Sequence, residues 1–417
     1  MSDNFLLHLT CMICGREYDP DEVDYVCPEH GAEGILDAVY DYAAIRQRLS
    51  PAKLAGNNDN TIWRYGPLLP CDPVPALKVG DTPLHDAPRL AARFGLKRLL
   101  LKDDGRLPTG SLKDRASAVA IARASEAGAE VITTASTGNA AAALAGLCAV
   151  TGQRNIIFVP ATAPQAKIAQ LLAYGATVLL VEGSYDDAFE LCMGAAAAFG
   201  WYNRNTGFNP YMSENKKTVS FEICEQLDWQ APDNVFVSVG DGCIIGGVYK
   251  GFYELLILGW IDRMPRIIGV QAAGSSYLAQ AWERDEDVLT KPPIQAMTAA
   301  DSISAGLPRD RLKAMRAVQE SGGAFVTVSD EAILNAIPIL AQGSGVFAEP
   351  AAAATYAGLH KAVDKGLISV DETSVLLITG SGLKDIAGVM DGVSRSGIAP
   401  HSIPPRLDAV RQLFETP

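Results

Sequence analysis

The chain has 417 residues, 48% hydrophobic and 20% charged, which is the balance of a folded chain of two or three domains and not of a disordered one. Its net charge of −13 disfavours nucleic acid or an anionic membrane as a partner. No apolar stretch has the roughly 18 residues of a membrane span, and Met1-Ser2-Asp3-Asn4 lacks the basic region of a signal peptide, so a cytoplasmic protein is expected.

The first thirty residues hold three of the eight cysteines, spaced Cys11-x2-Cys14-x12-Cys27-x2-His30, with Gly15 and Gly31 just after each pair. Two short knuckles facing one another offer a Cys3His set for one structural zinc, in a small ribbon over residues 1–34; a ribbon that has lost its metal would read the same way. The other cysteines (Cys71, Cys148, Cys192, Cys224 and Cys243) are scattered, as reduced core or loop thiols are. The ribbon is acidic (Glu17, Asp19, Asp21, Glu22, Asp24, Glu29, Glu33), which argues against a nucleic-acid grip. Ile35 to Leu49 reads as a helix ended by Ser50-Pro51. Residues 55–83, rich in Gly, Asn and Pro, read as an extended connection.

From there β-rich apolar runs alternate with helical stretches. The runs are Arg98–Lys102, Glu130–Thr134, Ile156–Val159, Val178–Val181, Val235–Val239, Arg266–Val270 and Val375–Ile378. Continuous apolar runs are what strands buried on both faces look like, so the fold class is α/β with mainly parallel sheets. The runs near 130, 156 and 178 lie close in sequence and predict a smaller sheet of their own. The expected division is a ribbon and helix over 1–50, a large unit over 51–117 and 216–417, and a small inserted α/β unit over 118–215, with a ligand cleft between the last two.

Three motifs carry chemistry. Thr109-Gly-Ser-Leu-Lys-Asp-Arg115 puts Lys113 at a Gly/Ser bend entering a helix, where desolvation would lower the pKa of its amine and free it to form an imine; a solvated structural lysine is the plainer alternative. Ala135-Ser136-Thr137-Gly138-Asn139-Ala140 closes one apolar run and opens a helix over Ala140 to Val150. It is either a simple N-cap turn or a turn whose amides and hydroxyls hold a carboxylate. Val239-Gly240-Asp241-Gly242-Cys243-Ile244-Ile245-Gly246-Gly247 lets backbone amides converge on a phosphate. It is not a dinucleotide fingerprint, because Ile245 stands in the third glycine's place and the next run ends in Gln271, not in an acid.

In this order the motifs resemble the fold-type II pyridoxal-phosphate enzymes, and among them the threonine synthase family. The resemblance extends from Thr82-Pro83-Leu84 to about Gly388. It takes in Gln165-Ala166-Lys167, Tyr174-Gly175-Ala176, Phe208-Asn209-Pro210-Tyr211, Phe347-Ala348-Glu349-Pro350-Ala351 and Thr379-Gly380-Ser381-Gly382-Leu383-Lys384-Asp385. It implies a pyridoxal-phosphate-dependent lyase, a homodimer, with an amino acid as its small-molecule substrate. Lys113 would be the Schiff-base lysine and the base, Asn139 the partner of the ring hydroxyl, and Thr379 the partner of the pyridine nitrogen. Gly240, Asp241, Gly242, Cys243 and Ile244 would form the phosphate cup, and Ser136, Thr137 and Asn139 would receive the substrate. A neutral hydroxyl at the ring nitrogen suits elimination and replacement better than transamination.

One departure bears on the substrate. The family carries an arginine two residues after the Asn-Pro, which helps bind the substrate's phosphate; here Met212 stands there, and a thioether cannot replace a guanidinium. Lys216 or Lys217 is then required to supply charge if the substrate is O-phosphohomoserine. A related β-replacing or β-eliminating enzyme acting on phosphoserine, serine or threonine is the alternative. No competing constellation exists: G-x-S-x-G and H-E-x-x-H are absent, and His8, His85, His360 and His401 form no cluster.

Overall fold

The computed structural model describes residues 5–163 and 165–414, so Met1–Asn4 lies outside the described residues. The chain begins with an antiparallel sheet of β1 (Leu6–Cys11), β2 (Glu17–Tyr18) and β3 (Leu36–Tyr40), in the order β2-β1-β3. β3 corrects the helix expected over Ile35–Leu49. Leu36, Ala38 and Tyr40 are buried while Asp37 and Val39 between them are not, which is the two-residue period of a strand. The helix is only Tyr42–Arg48, started by the Asp41 carboxylate accepting from Ala44 N. Ser50 then caps a second short helix, Pro51–Ala55. Residues 55–83 also differ from the extended connection expected: they include a 3-10 turn, Ile62–Leu68, and bury Trp63, Tyr65, Leu68, Leu77 and Val79 in the main core.

Ten strands follow among the described residues: β4 (Leu84–Asp86), β5 (Arg98–Asp103), β6 (Val131–Ala135), β7 (Arg154–Pro160), β8 (Thr177–Val181), β9 (Tyr202–Asn203), β10 (Asn234–Ser238), β11 (Arg266–Ala272), β12 (Ala324–Val328) and β13 (Thr373–Ile378). Six of them form one sheet in the order β12-β11-β10-β13-β5-β4, parallel throughout except for the antiparallel edge strand β4. The other four form a separate parallel sheet, β8-β7-β6-β9. The expected α/β class with mainly parallel sheets is what the chain adopts. β4 and β9 are too short to show a period in sequence.

Strand alternation builds two cores, one on each face of the large sheet. Leu100, Val235, Val237, Val375 and Leu377 point to one. Leu99, Leu101, Phe236, Leu376 and Ile378 point to the other, so each strand is apolar on both sides and reads as a continuous run. This order also positions the site. β10, β13 and β5 are consecutive parallel neighbours, so the segments leaving their carboxyl ends emerge side by side: the Gly240 loop, Thr379, and the turn that leads into Lys113.

Candidate active site

Lys113 is the first residue of the helix Lys113–Glu126. Its turn is sewn to the neighbouring β13 segment by backbone bonds: Leu112 N–H donates to Thr379 O at 2.9 Å and Ser381 N–H to Gly110 O at 2.9 Å. Gly110 stands at a φ of 85°, which a side chain would strain. The Asp114 carboxylate locks the bend by accepting from Thr109 N at 2.7 Å and from the Thr109 hydroxyl. Lys113 itself is half-buried. Burial pushes its ammonium down to about 8, aided by Lys216 and Arg204 and opposed by Cys243 and Asp241. A lysine so placed has free amine near neutral pH.

β6 delivers the Ser136 turn, and the helix that follows runs Asn139–Thr151. Ser136, Thr137 and Gly138 are half-buried, and Asn139 is buried. Asn139 Nδ2 donates to both oxygens of Glu349, at 3.0 Å each. Glu349 opens the helix Pro350–Asp364, and burial pushes its carboxyl up to about 7, against the pull of Asn139, Lys384 and Lys113. A Cβ at Gly380 would stand 2.5 Å from the Glu349 carboxylate, so glycine at that position lets the carboxylate lie flat against the backbone beside Thr379. In sequence Glu349 is only part of the Phe347–Ala351 stretch; its link between Asn139 and the Thr379 segment is made by tertiary packing, through its carboxylate and through its N–H, which donates to Gly380 O at 3.1 Å.

The Gly240 loop has the features of a cradle. A side chain at Gly240 would meet the backbone of Ile303 at 2.8 Å, and one at Gly242, whose φ is 96°, would meet Asp310 O at 2.7 Å. The helix Cys243–Leu258 starts at Gly242 with no side-chain cap, leaving its first amides free for a ligand. Asp241 turns away from the cradle: its carboxylate accepts from Arg309 N at 2.8 Å and from Thr206 Oγ1 at 3.0 Å. Cys243 Sγ lies 2.7 Å from Lys216 Nζ.

Of the two lysines considered for extra charge, only Lys216 faces this loop. Lys217 pairs with Glu214 at 2.8 Å and Glu254 at 2.9 Å, and lies over the Tyr40 ring. Neither is solvated as an exposed helical lysine would be; both are fully buried, and Met212 beside them is a core residue. Sequence reasoning passed over Arg204, which follows β9, is 1% exposed and raises no ion pair among the described residues. The one available signal was a cation in the run Tyr202–Thr206 with no acid within a turn of it.

The Cys3His cluster belongs to the N-terminal sheet and not to these loops. The ligand atoms of Cys11, Cys14, Cys27 and His30 all lie within 4.8 Å of one another, with Cys27 Sγ 3.4 Å and Cys11 Sγ 3.8 Å from His30 Nδ1. Burial raises the Cys27 thiol, but its bonds from Tyr18 and His30 outweigh that and hold it at about 6. The group could hold one metal ion.

An open depression lined by Trp229, Trp260 and Arg263 sits on the amino-terminal side of β10, the opposite end from the Gly240 loop, and gathers no comparable set of groups.

Comparison with known proteins agrees with this geometry. Residues 76–380 match the family described as pyridoxal-phosphate dependent enzyme. A threonine synthase of Methanosarcina acetivorans is 39% identical, covering 98% of this chain and 98% of the relative. One of Methanocaldococcus jannaschii is 40% identical over 90% of this chain and 92% of the relative. A threonine deaminase of Solanum lycopersicum shares the fold, with a TM-score of 0.66 at 22% identity over 76% of this chain and 84% of that one.

Proposed function

Because the chain belongs to the threonine synthase family of pyridoxal-phosphate-dependent enzymes, we propose that it converts O-phosphohomoserine and water to threonine and inorganic phosphate. The observation that carries the reading is a glycine cradle with cations gathered at it: Lys216 Nζ lies 2.7 Å from Cys243 Sγ, and the charges of Lys113 and Arg204 act on the same loop, opposed by Asp241 and Asp310, where both a cofactor and its substrate bring phosphate.

The residues fit the cofactor. The cradle that a Cβ would fill at Gly240 and Gly242, with the free amides of the helix Cys243–Leu258, would hold its phosphate through Gly240, Asp241, Gly242, Cys243 and Ile244. Asn139 would meet its ring hydroxyl, Thr379 its pyridine nitrogen and Lys113 its carbonyl carbon. When bound, the cofactor supplies an electron sink for a substrate carbanion. Lys113, once displaced by the substrate's amine, would move protons at the substrate's carbons, and its lowered pKa suits a base at neutral pH. The turn Ser136, Thr137 and Asn139, at the start of the helix Asn139–Thr151, would take the substrate carboxylate.

Closure of the smaller unit, residues 118–215, over the larger one would exclude water. The Lys167–Asp301 pair at 2.7 Å, the Lys384 to Gln170 bond at 2.9 Å and Arg309 stacked 3.9 Å over Phe189 already tie the two sheets' helices and loops across the site.

Zinc at Cys11, Cys14, Cys27 and His30 is the matching proposal for the ribbon. A tetrahedral site with bonds of about 2.0 to 2.3 Å has ligand–ligand edges of about 3.3 to 3.8 Å, the separations found between the two thiols and His30. Four protein ligands leave no open position, so the metal would be structural; elemental analysis finding no zinc in the purified protein would reject it. We also place the enzyme in the cytoplasm as a homodimer. The five thiols outside the ribbon, none in a disulfide, suit a reducing compartment, and the exposed Ile386, Met390, Leu407, Leu413 and Phe414 offer apolar surface a second copy would cover. No described helix is long and apolar enough to cross a membrane.

The decisive experiment supplies O-phosphohomoserine to the purified enzyme and measures threonine and phosphate. Turnover lost by orders of magnitude in Lys113→Ala, with the visible absorbance of the bound cofactor changed, supports the assignment. No threonine from the wild-type enzyme, but ammonia or pyruvate from serine, phosphoserine or threonine, would reject the synthase reading while leaving the family intact.

A further inference from the structure

We infer that Arg204 is the residue that receives the phosphate ester of the substrate, doing the work that Met212 cannot. The inference rests on the synthase reading above and deepens it.

Arg204 is held rigidly next to the site. Its N–H donates to Thr133 O at 2.9 Å, fixing it beside β6, the strand that leads into the Ser136 turn. Its Nε donates to Ser117 Oγ at 3.3 Å, one helical turn beyond Lys113 on the same helix. The guanidinium is 1% exposed, yet one of its terminal nitrogens has no hydrogen-bond partner, and no carboxylate pairs with it among the described residues. Its charge favours loss of the proton from the Lys113 ammonium, and it in turn feels Cys243, Tyr185 and, more weakly, the Asp114 carboxylate. A buried, unpaired guanidinium costs stability and persists where a ligand completes it.

The other cations near the site are engaged. Lys217 is clamped by Glu214 and Glu254, Lys313 donates to Ser213 Oγ at 2.7 Å, Lys384 donates to Gln170, and Arg309 lies on Phe189. Met212 is in the core. Lys216 donates to Cys243 Sγ, so among these cations Arg204 is the one that keeps a buried nitrogen with no partner, and its guanidinium presents the planar fork that matches two oxygens of a phosphate.

The test uses holoenzyme carrying Arg204→Gln or Arg204→Lys. Affinity is measured by calorimetry for inorganic phosphate, for the phosphonate isostere of O-phosphohomoserine and for L-homoserine. Cofactor affinity and the unfolding midpoint of the ligand-free proteins are measured beside them. Losing a charge-assisted fork weakens phosphate and phosphonate binding by about 30-fold or more in Arg204→Gln, with Arg204→Lys recovering part of it. Homoserine affinity stays at its wild-type value, as does cofactor affinity measured at a pH where Lys113 is unprotonated in both proteins, and the ligand-free Gln variant unfolds no earlier than wild type, since a burdened cation has been removed.

Unchanged phosphonate affinity overturns the inference. So does an equal loss for homoserine, which would assign Arg204 to the carboxylate, and so does a loosened cofactor, which would assign it to the cofactor's phosphate. Failure of both variants to fold overturns it in favour of a structural role, and failure of the wild type to bind either phosphate compound removes its premise. A wild type that binds the phosphonate but makes no threonine rejects the synthase reading and leaves the anion site standing.

Discussion

Two arginines, both withdrawn from water, show opposite treatment of a buried charge. Arg115 is 0% exposed and every nitrogen is used: Nε and one terminal nitrogen reach Asp104 at 2.7 and 2.9 Å, both terminal nitrogens reach Glu222 at 2.6 and 2.8 Å, and the hydroxyls of Thr218 and Thr82 complete the set. Lys102 closes the network with its own ion pair to Glu222 at 2.7 Å. Arg204 has one serine and a bare nitrogen. The satisfied guanidinium binds the Lys113 helix to the Asp104 turn that follows β5, the Thr82 turn and the helix Thr218–Gln226, and has nothing left for a ligand. The unsatisfied one is held between β6 and the Lys113 helix. Within one fold, completeness of partners separates scaffold from site better than burial does, because both residues are equally buried.

The sharpest way to break this comparison is to remove each cation in turn. Arg115→Met leaves Asp104 and Glu222 buried with Lys102, paired to Glu222, as the one cation still bonded to either, beside neutral donors from Asp81 and Thr82, and is expected to cost about 3 to 5 kcal/mol of unfolding free energy. Denaturant melts of the ligand-free protein check it; a cost no larger than that of Arg204→Gln would end the distinction.

The adjacent lysines repeat the contrast on a smaller scale. Lys217→Met strands Glu214 and Glu254, at an expected cost of about 3 kcal/mol. That is less than for Arg115, because burial already pushes the Glu254 carboxyl up to about 7 and it can take a proton instead. Lys216→Met removes a cation whose hydrogen-bonded neighbour is a thiol, so stability should hardly change. Its KM for the phosphorylated substrate should rise about tenfold, the weight of one charge-assisted bond. Paired melts and steady-state kinetics on the two variants decide whether neighbours in sequence have divided labour in this way.

The smallest expected effect concerns Lys113. Its ammonium is pushed down to about 8 by burial and by Lys216 and Arg204, so the neutral amine accumulates as pH rises and is nearly complete by pH 9. Uptake of pyridoxal phosphate by cofactor-free enzyme should then speed up about tenfold between pH 7 and 9 and level off, where a lysine near 10.4 would keep accelerating. Arg204→Gln should move the plateau to higher pH, because one of the charges expelling the proton is gone. A rate still climbing beyond pH 9.5 in the wild type would show that the cleft does not desolvate Lys113.

Much of the site could be read from local pattern. Glycine, serine and threonine at the carboxyl ends of apolar runs marked the Lys113, Ser136, Gly240 and Thr379 segments, and the strand order brings the ends of β5, β13 and β10 together. The Cys11 to His30 spacing likewise fell into one cluster. Three things did not follow from pattern. β3 reads as helix in sequence because Leu36–Tyr40 is too short to separate a two-residue from a 3.6-residue period without its neighbours. Glu349 looked like part of a helix start, and its role as the acceptor for Asn139 depends on a bond across 210 positions. Arg204 looked like any arginine.

Turn chemistry, strand runs and ligand spacing are short-range properties, fixed within a few residues by φ preferences and side-chain period, so the amino-acid sequence by itself determined the α/β class, the family and the turns that end its strands. Which charges are paired is not short-range in the chain. Arg115 meets Glu222 across 107 positions, and Lys216 and Lys217, side by side, face different partners. An ion pair or hydrogen bond acts only over a few ångströms of space, and which groups share that space is decided when the sheets and helices pack. Tertiary structure alone therefore separated the arginine whose every nitrogen is paired from the arginine that keeps one without a partner.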